Sequence, residues 1–161
     1  MSKILSEYDL TSIDIEILKL LQEDGTLSTT NIGQKLSLST TPCWRRKKAL
    51  EDSGYIKDYQ ANLDRSKLGY DVVAFVNIKF SDHANDNPDK FEELMLSLPE
   101  ILVCNKVTGD TDYIIIIVVK SLKEYGEFIE KTLRKQPGVI SINSSFSVKE
   151  IKFTSKLPIK L

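Results

Sequence analysis

Apolar residues recur with a helical period in the first fifty residues, in three short segments separated by polar turns. The first segment is predicted to begin after Thr11, because its hydroxyl and the carboxylate of Asp14 can form a reciprocal capping box. It ends at Gly25. A second, shorter helix is predicted after Ser28 and runs to about Leu36. The segment Ser37-Leu38-Ser39 then turns the chain towards a third helix.

A third helix is predicted after Ser39, with Pro42 in its first turn, where no backbone amide is needed. It ends at Ser53-Gly54. Gly33 lies inside the second helix, where glycine costs about 1 kcal/mol relative to alanine, so we expect a close helix–helix contact at Gly33. The stretch Tyr55–Asn62 alternates like a strand and is predicted as a small wing. Together these segments predict a winged helix-turn-helix.

The second half of the chain has strand periodicity interrupted by two helical segments. The predicted order is β-α-β-β-α-β, with the segments Val72–Phe80, Asn87–Leu98, Ile101–Val107, Tyr113–Val119, Ser121–Leu133 and Val139–Phe153. This order is typical of the ferredoxin-like fold, in which both helices cover one face of an antiparallel sheet. The fold class is therefore α+β. The sheet face without helices is expected to be covered by a second copy, because large apolar patches are rarely left wet.

These patterns predict an N-terminal DNA-binding domain over residues 1–62, a polar linker over 63–70 and a second domain over 71–161. Composition narrows the function. The formal net charge is −1, so a case for nucleic acid must rest on local charge. Five Lys or Arg and no Asp or Glu lie between Gly25 and Leu50. This local charge favours a DNA-binding helix pair over a solvated charged face.

Other classes find little support in the sequence. The chain has two cysteines in unlike contexts and one histidine, which argues against a disulfide framework and a structural zinc site. A reducing cytoplasm is the simplest location. No uncharged apolar run approaches the roughly 20 residues that span a bilayer. No nucleophile–base pair, glycine-rich phosphate loop or metal cluster indicates an enzyme, and no cofactor is predicted.

Candidate DNA contacts lie on the third helix, because a recognition helix enters the major groove with its N-terminal half. Thr40, Thr41 and Trp44 are placed to reach base edges or a thymine methyl group, and Arg45 to bind guanine through two hydrogen bonds. Arg46 is expected to hold a phosphate, with pairing to Glu51 within the fold as the alternative.

Three further residues are candidate phosphate contacts. Lys48 is expected to bind phosphate through its ammonium group. Ser28 and Thr29 lie at a helix N-terminus, where free backbone amides can bind phosphate.

Several motifs occur in one register along nearly the whole chain: Ile13-Asp14, Leu21–Gly25, Leu38–Arg46, Gly54–Ile56, Gly109–Tyr113, Pro137–Val139 and Ile151-Lys152. On these motifs the chain resembles the leucine-responsive regulatory protein family (Lrp/AsnC), the feast/famine transcription regulators of bacteria and archaea. Its Pro-Cys-Trp recognition helix and its tail look like those of a proteobacterial subgroup.

The resemblance implies a sequence-specific transcription regulator, located in the cytoplasm on the nucleoid, that forms dimers and often octamers. It also implies a small effector, usually an amino acid, bound between dimers. The effector contacts carried over from the family are Gly109, Asp110, Thr111, Asp112 and Ser144. The alternative for the turn that holds the first four is a plain hairpin with glycine at a positive φ. The alternative function is a DNA-compacting architectural protein without an effector.

The chain departs from the family pattern at four positions. Lys47 replaces an apolar residue between the core positions of the third helix, so it is left out of the predicted DNA contacts. Ser37 replaces a frequent turn glycine, and Gly33 a frequent alanine. Ile142 occupies a last-strand position that threonine often holds, near the expected effector contact Ser144.

Overall fold

A computed structural model describes residues 9–81 and 88–160. The chain divides into two compact units. The first comprises Met1–Asn62 together with Phe153–Leu161, and the second comprises Leu63–Lys152. The sequence had placed the last nine of these residues in the second domain. The structure groups them with the first unit instead, because the backbone amide and carbonyl of Leu157 both pair with the side chain of Gln22, at 2.6 and 3.2 Å.

The first unit contains the three predicted helices: α1 at Ser12–Glu23, α2 at Thr29–Leu36 and α3 at Thr40–Asp52. They enclose a small core that includes four fully buried side chains, Ile17, Ile32, Cys43 and Leu50. The capping box between Thr11 and Asp14 is present, and the Ser28 hydroxyl accepts a hydrogen bond from the Asn31 amide. Ser39 occupies the N-cap position of α3, but its side chain makes no capping bond.

The turn between α2 and α3 depends on Ser37, which has a left-handed backbone conformation with φ of 54°. The amide of Leu38 then folds back onto the carbonyl oxygen of Gly33 at 2.8 Å. A Cβ atom at Gly33 would lie 2.8 Å from the carbonyl oxygen of Leu38 and 3.9 Å from Cβ of Cys43. The close contact expected at Gly33 is therefore made mainly by the turn backbone, not by another helix.

The predicted wing strand is wrong as a strand, because Tyr55–Asn62 forms no ladder in the structure. Its alternation has another cause. A Cβ atom at Gly25 would lie 3.5 Å from Cδ1 of Tyr59, whose hydroxyl donates to the Glu51 carboxylate at 3.0 Å. The segment is therefore held against the helices by side chains, with no partner strand to define a ladder.

The second unit is the predicted β-α-β-β-α-β arrangement. Its elements are β1 Val72–Phe80, α4 Pro88–Ser97, β2 Ile101–Lys106, β3 Tyr113–Val119, α5 Leu122–Phe128 and β4 Val139–Phe146. A π-helical turn, Ile129–Leu133, continues α5. Asn87, the first residue of the predicted segment Asn87–Leu98, lies outside the described residues. The four strands form one antiparallel sheet in the order β2-β3-β1-β4, which confirms the ferredoxin-like prediction.

One face of this sheet packs on α4 and α5. Fully buried residues of β1 and β3, such as Val76 and Ile115, meet Phe91 of α4 and Leu133 beyond α5. The opposite face is less covered: Phe75 is 42% exposed. β3 is apolar throughout, a composition typical of a strand that is covered on both faces. In the chain alone, its alternate residues Ile114 and Ile116 remain partly exposed, because both helices lie on the other side.

The strain at Ser37 gives a stability prediction. A left-handed conformation costs an L-residue about 1–2 kcal/mol, whereas glycine adopts it freely but loses more chain entropy on folding. We therefore expect Ser37→Gly to increase the free energy of unfolding by about 0.5 kcal/mol. The measurement is urea unfolding followed by the fluorescence of Trp44, the one tryptophan of the chain.

The control is Ser37→Ala, which keeps the Cβ atom and therefore the strain. It should give no gain in stability. An equal gain from both substitutions would show that the serine hydroxyl, not the backbone conformation, destabilises the turn.

Candidate nucleic-acid interface and effector site

The outer surface of α3 brings together most of the predicted DNA contacts. Thr40, Thr41, Trp44, Arg45 and Lys48 are all exposed. Residues three or four positions apart are neighbours on the surface of a helix, so these five side chains form a continuous strip, which we call the reading face. Trp44 is 54% exposed. The exposed indole is therefore available for contact with a partner.

Lys48 lies at the C-terminal end of the reading face. Its ammonium group pairs with Asp52 at 2.9 Å, and both side chains are more than half exposed. This pairing raises the pKa of Lys48 through the hydrogen bond and charge of Asp52. Exposed pairs of this kind contribute little to stability, so Lys48 can exchange its carboxylate partner for a phosphate.

Arg46 is only partly exposed and is paired within the first unit, and its expected phosphate contact stays a prediction. Its Nη1 atom donates to Thr11 Oγ1 at 3.1 Å and to the two carboxylate oxygens of Asp14 at 3.1 and 3.3 Å. The alternative expected from the sequence, an ion pair between Arg46 and Glu51, is not found, because Arg46 pairs with Asp14 instead. The reason is geometric: Arg46 lies on the side of α3 that meets the N-terminus of α1.

Asp14 was predicted from the sequence only as the capping partner of Thr11, but it also pairs with Arg46 of α3. It is fully buried, and its carboxylate accepts hydrogen bonds from the amide and hydroxyl of Thr11 at 2.9 and 2.6 Å. Burial raises the pKa of Asp14, but the hydrogen bonds from Thr11 and Arg46 outweigh it, so the pKa lies below its ordinary value. The carboxylate therefore stays ionised at neutral pH. The sequence signal was its position among Ile13, Ile15 and Ile17 on the apolar side of the helix.

Lys47 also turns inward, as its omission from the DNA contacts assumed. Its ammonium lies 4.9 Å from the centre of the Tyr59 ring and 3.9 Å from the Glu51 carboxylate. Burial and the Glu51 carboxylate raise the pKa of Tyr59, so its hydroxyl keeps its proton and donates to Glu51. Lysine replaces the apolar residue by packing its charge on an aromatic face.

Ser28 and Thr29 lie at the N-terminus of α2. The hydroxyl of Ser28 is engaged by the amide of Asn31 at 3.1 Å, which makes it a cap. The first amides of a helix have no partner within the helix, so the amide of Thr29 is available for an anion.

The turn between β2 and β3 has two kinds of residue. Gly109 has φ of 120° and is exposed together with Asp110. Thr111 and Asp112 are committed to β1: the Thr111 hydroxyl donates to the carbonyl of Ile78 at 2.7 Å, and the Asp112 carboxylate accepts from the amide of Phe80 at 2.7 Å. Thr111 and Asp112 therefore have the structural role that a plain hairpin predicts. Gly109 and Asp110 are exposed and available to a ligand.

Ser144 lies in β4 opposite Val76 of β1, on the sheet face that packs against the helices. Its hydroxyl is hydrogen-bonded to the hydroxyl of Tyr125, a residue of α5 that sequence reasoning did not single out. Burial raises the pKa of Tyr125, so this phenol is protonated. Ser144 therefore has an internal partner, and any ligand there would compete with Tyr125.

Two findings bear on other classes of site. Among the described residues, no three His, Cys, Asp or Glu side chains are grouped to hold a metal ion. No helix in the described part of the chain is both long and apolar enough to cross a membrane.

Comparisons with known proteins match both halves. Residues 10–57 match a winged helix-turn-helix DNA-binding domain, and residues 73–157 match the Lrp/AsnC ligand-binding domain. The transcriptional activator DecR of Escherichia coli K12 is 38% identical over 151 residues, which cover 94% of this chain and 99% of DecR. The leucine-responsive regulatory protein of the same organism is 34% identical over 152 residues, 94% of this chain and 93% of that protein.

A solved structure is similarly close. The regulator NMB0573 of Neisseria meningitidis, in complex with L-Met, superposes with a TM-score of 0.88 at 34% identity, covering 92% of this chain and 96% of the other. A helix-turn-helix joined to a ligand-binding α/β domain defines a DNA-binding transcription regulator. The chain belongs to the Lrp/AsnC family of such regulators, and like its relatives it is not an enzyme.

The different roles of Asp112 and Asp110 in the turn between β2 and β3 give a stability prediction. Asp112→Ala removes the acceptor of the Phe80 amide, and an unsatisfied amide costs about 1–3 kcal/mol. Asp110→Ala removes an exposed side chain and should change stability by no more than about 0.5 kcal/mol. Calorimetry of the ligand-free protein measures both. Equal losses would contradict the assignment of Asp112 to the sheet and Asp110 to the surface.

Proposed function

We propose that the reading face of α3 recognises a specific DNA sequence in the major groove. Thr40, Thr41 and Trp44 contact base edges, and Arg45 binds a guanine through its two-pronged guanidinium. Lys48 and the helix N-terminus at Ser28 and Thr29 hold phosphates. The observation that carries this proposal is the exposure of Trp44 and Arg45 on a basic helix, while Arg46 and Lys47 turn inward.

We propose that the effector is an amino acid. The free amides and carboxylate of Gly109 and Asp110 suit its charged ends, since amides bind a carboxylate and a carboxylate binds an ammonium group. Thr111, Asp112 and Ser144 support this site from the sheet. The bound L-Met of the Neisseria meningitidis regulator supports the class of ligand. We also place the protein on the nucleoid in the cytoplasm, where its DNA is found.

We propose that the sheet face opposite the helices forms a homodimer, and that dimers assemble into an octamer. Phe75, Ile114 and Ile116 lie next to one another there, because Phe75 pairs with Ile116 and Asn77 with Ile114 in the β1–β3 ladder. Burial of this apolar surface by a second copy would remove it from water. An effector that binds one assembly better than another shifts the population between assemblies, and this changes the spacing of the reading faces.

Two substitutions on the reading face separate base contact from phosphate contact. The operator is first identified by genome-wide mapping of binding sites. Arg45→Ala should then weaken binding to the operator by about 1–3 kcal/mol, with little effect on binding to unrelated DNA. Lys48→Ala should weaken binding to both DNAs and lower the slope of log affinity against log salt by about 1. Fluorescence anisotropy over a salt series measures the affinities for both DNAs and the salt slope.

The control is Lys57→Ala, which removes an exposed lysine beyond α3. Equal losses on both DNAs from Arg45→Ala would contradict the proposal.

A second experiment tests the effector. Each of the twenty amino acids at millimolar concentration is added to the protein, and the unfolding temperature and the mass by light scattering are measured. A ligand that binds only the folded state must raise the unfolding temperature. We expect one or a few amino acids to do so and to change the mass. If none raises it, the protein fits the architectural alternative, which needs no effector.

A further inference from the structure

The carboxylate of Asp14 and the guanidinium of Arg46 join α1 to α3. Asp14 is in the first turn of α1, and Arg46 is near the middle of α3, immediately after the reading-face residue Arg45. Arg46 Nη1 lies 3.1 Å from Asp14 Oδ1 and 3.1 Å from Thr11 Oγ1. The contact therefore fixes α3 against the capped end of α1.

The remaining bonds of Asp14 leave the carboxylate little freedom. Thr11 supplies an amide and a hydroxyl to Oδ2, and Asp14 is fully buried. A carboxylate held from two sides inside the protein presents its free edge in one direction only. Arg46 must approach along that direction, which sets the rotation of α3 about its own axis.

The same network argues against a DNA contact by Arg46. If its guanidinium moved to a phosphate, the buried Asp14 carboxylate would lose its cationic partner, and an unpaired buried charge is strongly destabilising. Lys48 faces no such cost, because its partner Asp52 is exposed. The two basic residues therefore differ in role although they are two positions apart.

We propose that Asp14 and Arg46 are positioning residues for sequence recognition: without touching DNA, they set the rotation of α3 that aims Arg45 and Trp44 at the bases. The inference rests on the proposed function of the reading face. Helical residues are 100° apart around the axis, so a small rotation moves every reading-face side chain relative to the groove while leaving the net charge unchanged.

Arg46→Lys tests this directly, because it keeps the charge and replaces the guanidinium, whose Nη1 makes the contacts with Thr11 and Asp14, by an ammonium group on a different stem. A phosphate contact would tolerate lysine. For a positioning residue, we expect operator affinity to fall about tenfold, equivalent to about 1.4 kcal/mol, while affinity for unrelated DNA and the salt slope stay at the wild-type values. The control is the same substitution at the neighbouring residue, Arg45→Lys, because Arg45 is the residue proposed to contact DNA directly.

Asp14→Asn provides the second arm. Removal of a negative charge from a DNA-binding unit should, by electrostatics alone, tighten binding to all DNA. If Asp14 is a positioning residue, affinity for the operator should instead fall about tenfold, with no loss of affinity for unrelated DNA. Glu16→Gln is the matched control, because it removes one charge from α1 at a residue paired with Lys19. Each variant is first shown by circular dichroism to be folded at the assay temperature.

The outcomes separate the two levels of the proposal. If the wild type does not prefer its operator, the proposed function itself fails. If the wild type prefers it and either Asp14→Asn or Arg46→Lys retains that preference, the positioning inference fails while the function stands. Equal losses on operator and unrelated DNA would also contradict positioning, because such a loss does not depend on sequence. Unchanged affinity of Arg46→Lys for both DNAs would fit a phosphate contact, which lysine can make as well. Similar loss in the Asp14→Asn/Arg46→Lys double variant and in each single variant supports one shared network.

Discussion

The first unit depends on a buried charge. A carboxylate away from water must be paired and hydrogen-bonded, or its burial is too costly. Asp14 meets this requirement with the capping groups of Thr11 and with Arg46 of the recognition helix. One residue therefore completes the start of α1 and fixes the position of α3. Unlike the apolar contacts of the core, the hydrogen bonds of this network are directional.

The same logic divides the basic run of α3. Four consecutive cations fall on different sides of a helix, since successive residues are 100° apart. Arg45 and Lys48 are exposed, whereas Arg46 and Lys47 meet Asp14 and Tyr59. A charge run in sequence is thus only partly a charged surface. Two of the four cations, Arg45 and Lys48, therefore belong to the surface that we propose meets DNA.

In the second unit, β1 and β3 link the candidate effector turn to the proposed dimer face. Thr111 and Asp112 attach the turn to the end of β1, and Phe75 and Ile116 of the same two strands form the apolar surface on the open face. A ligand at the turn would therefore bind a rigid part of the sheet. Differential binding to two assemblies needs no large movement within one chain: a ligand that contacts both copies is sufficient.

Local patterns determined much of this protein. Helical periodicity and capping chemistry located α1, α2 and α3, and strand periodicity gave the order of the sheet, because these signals act between near neighbours. Sequence motifs also indicated the family. The apparent wing strand failed because a strand needs a partner, and Tyr59 packs on helices instead. Only the tertiary structure decided that Arg46 belongs to Asp14, that Ser144 meets Tyr125 and that the tail joins the first unit, since each depends on which distant residue approaches from which direction.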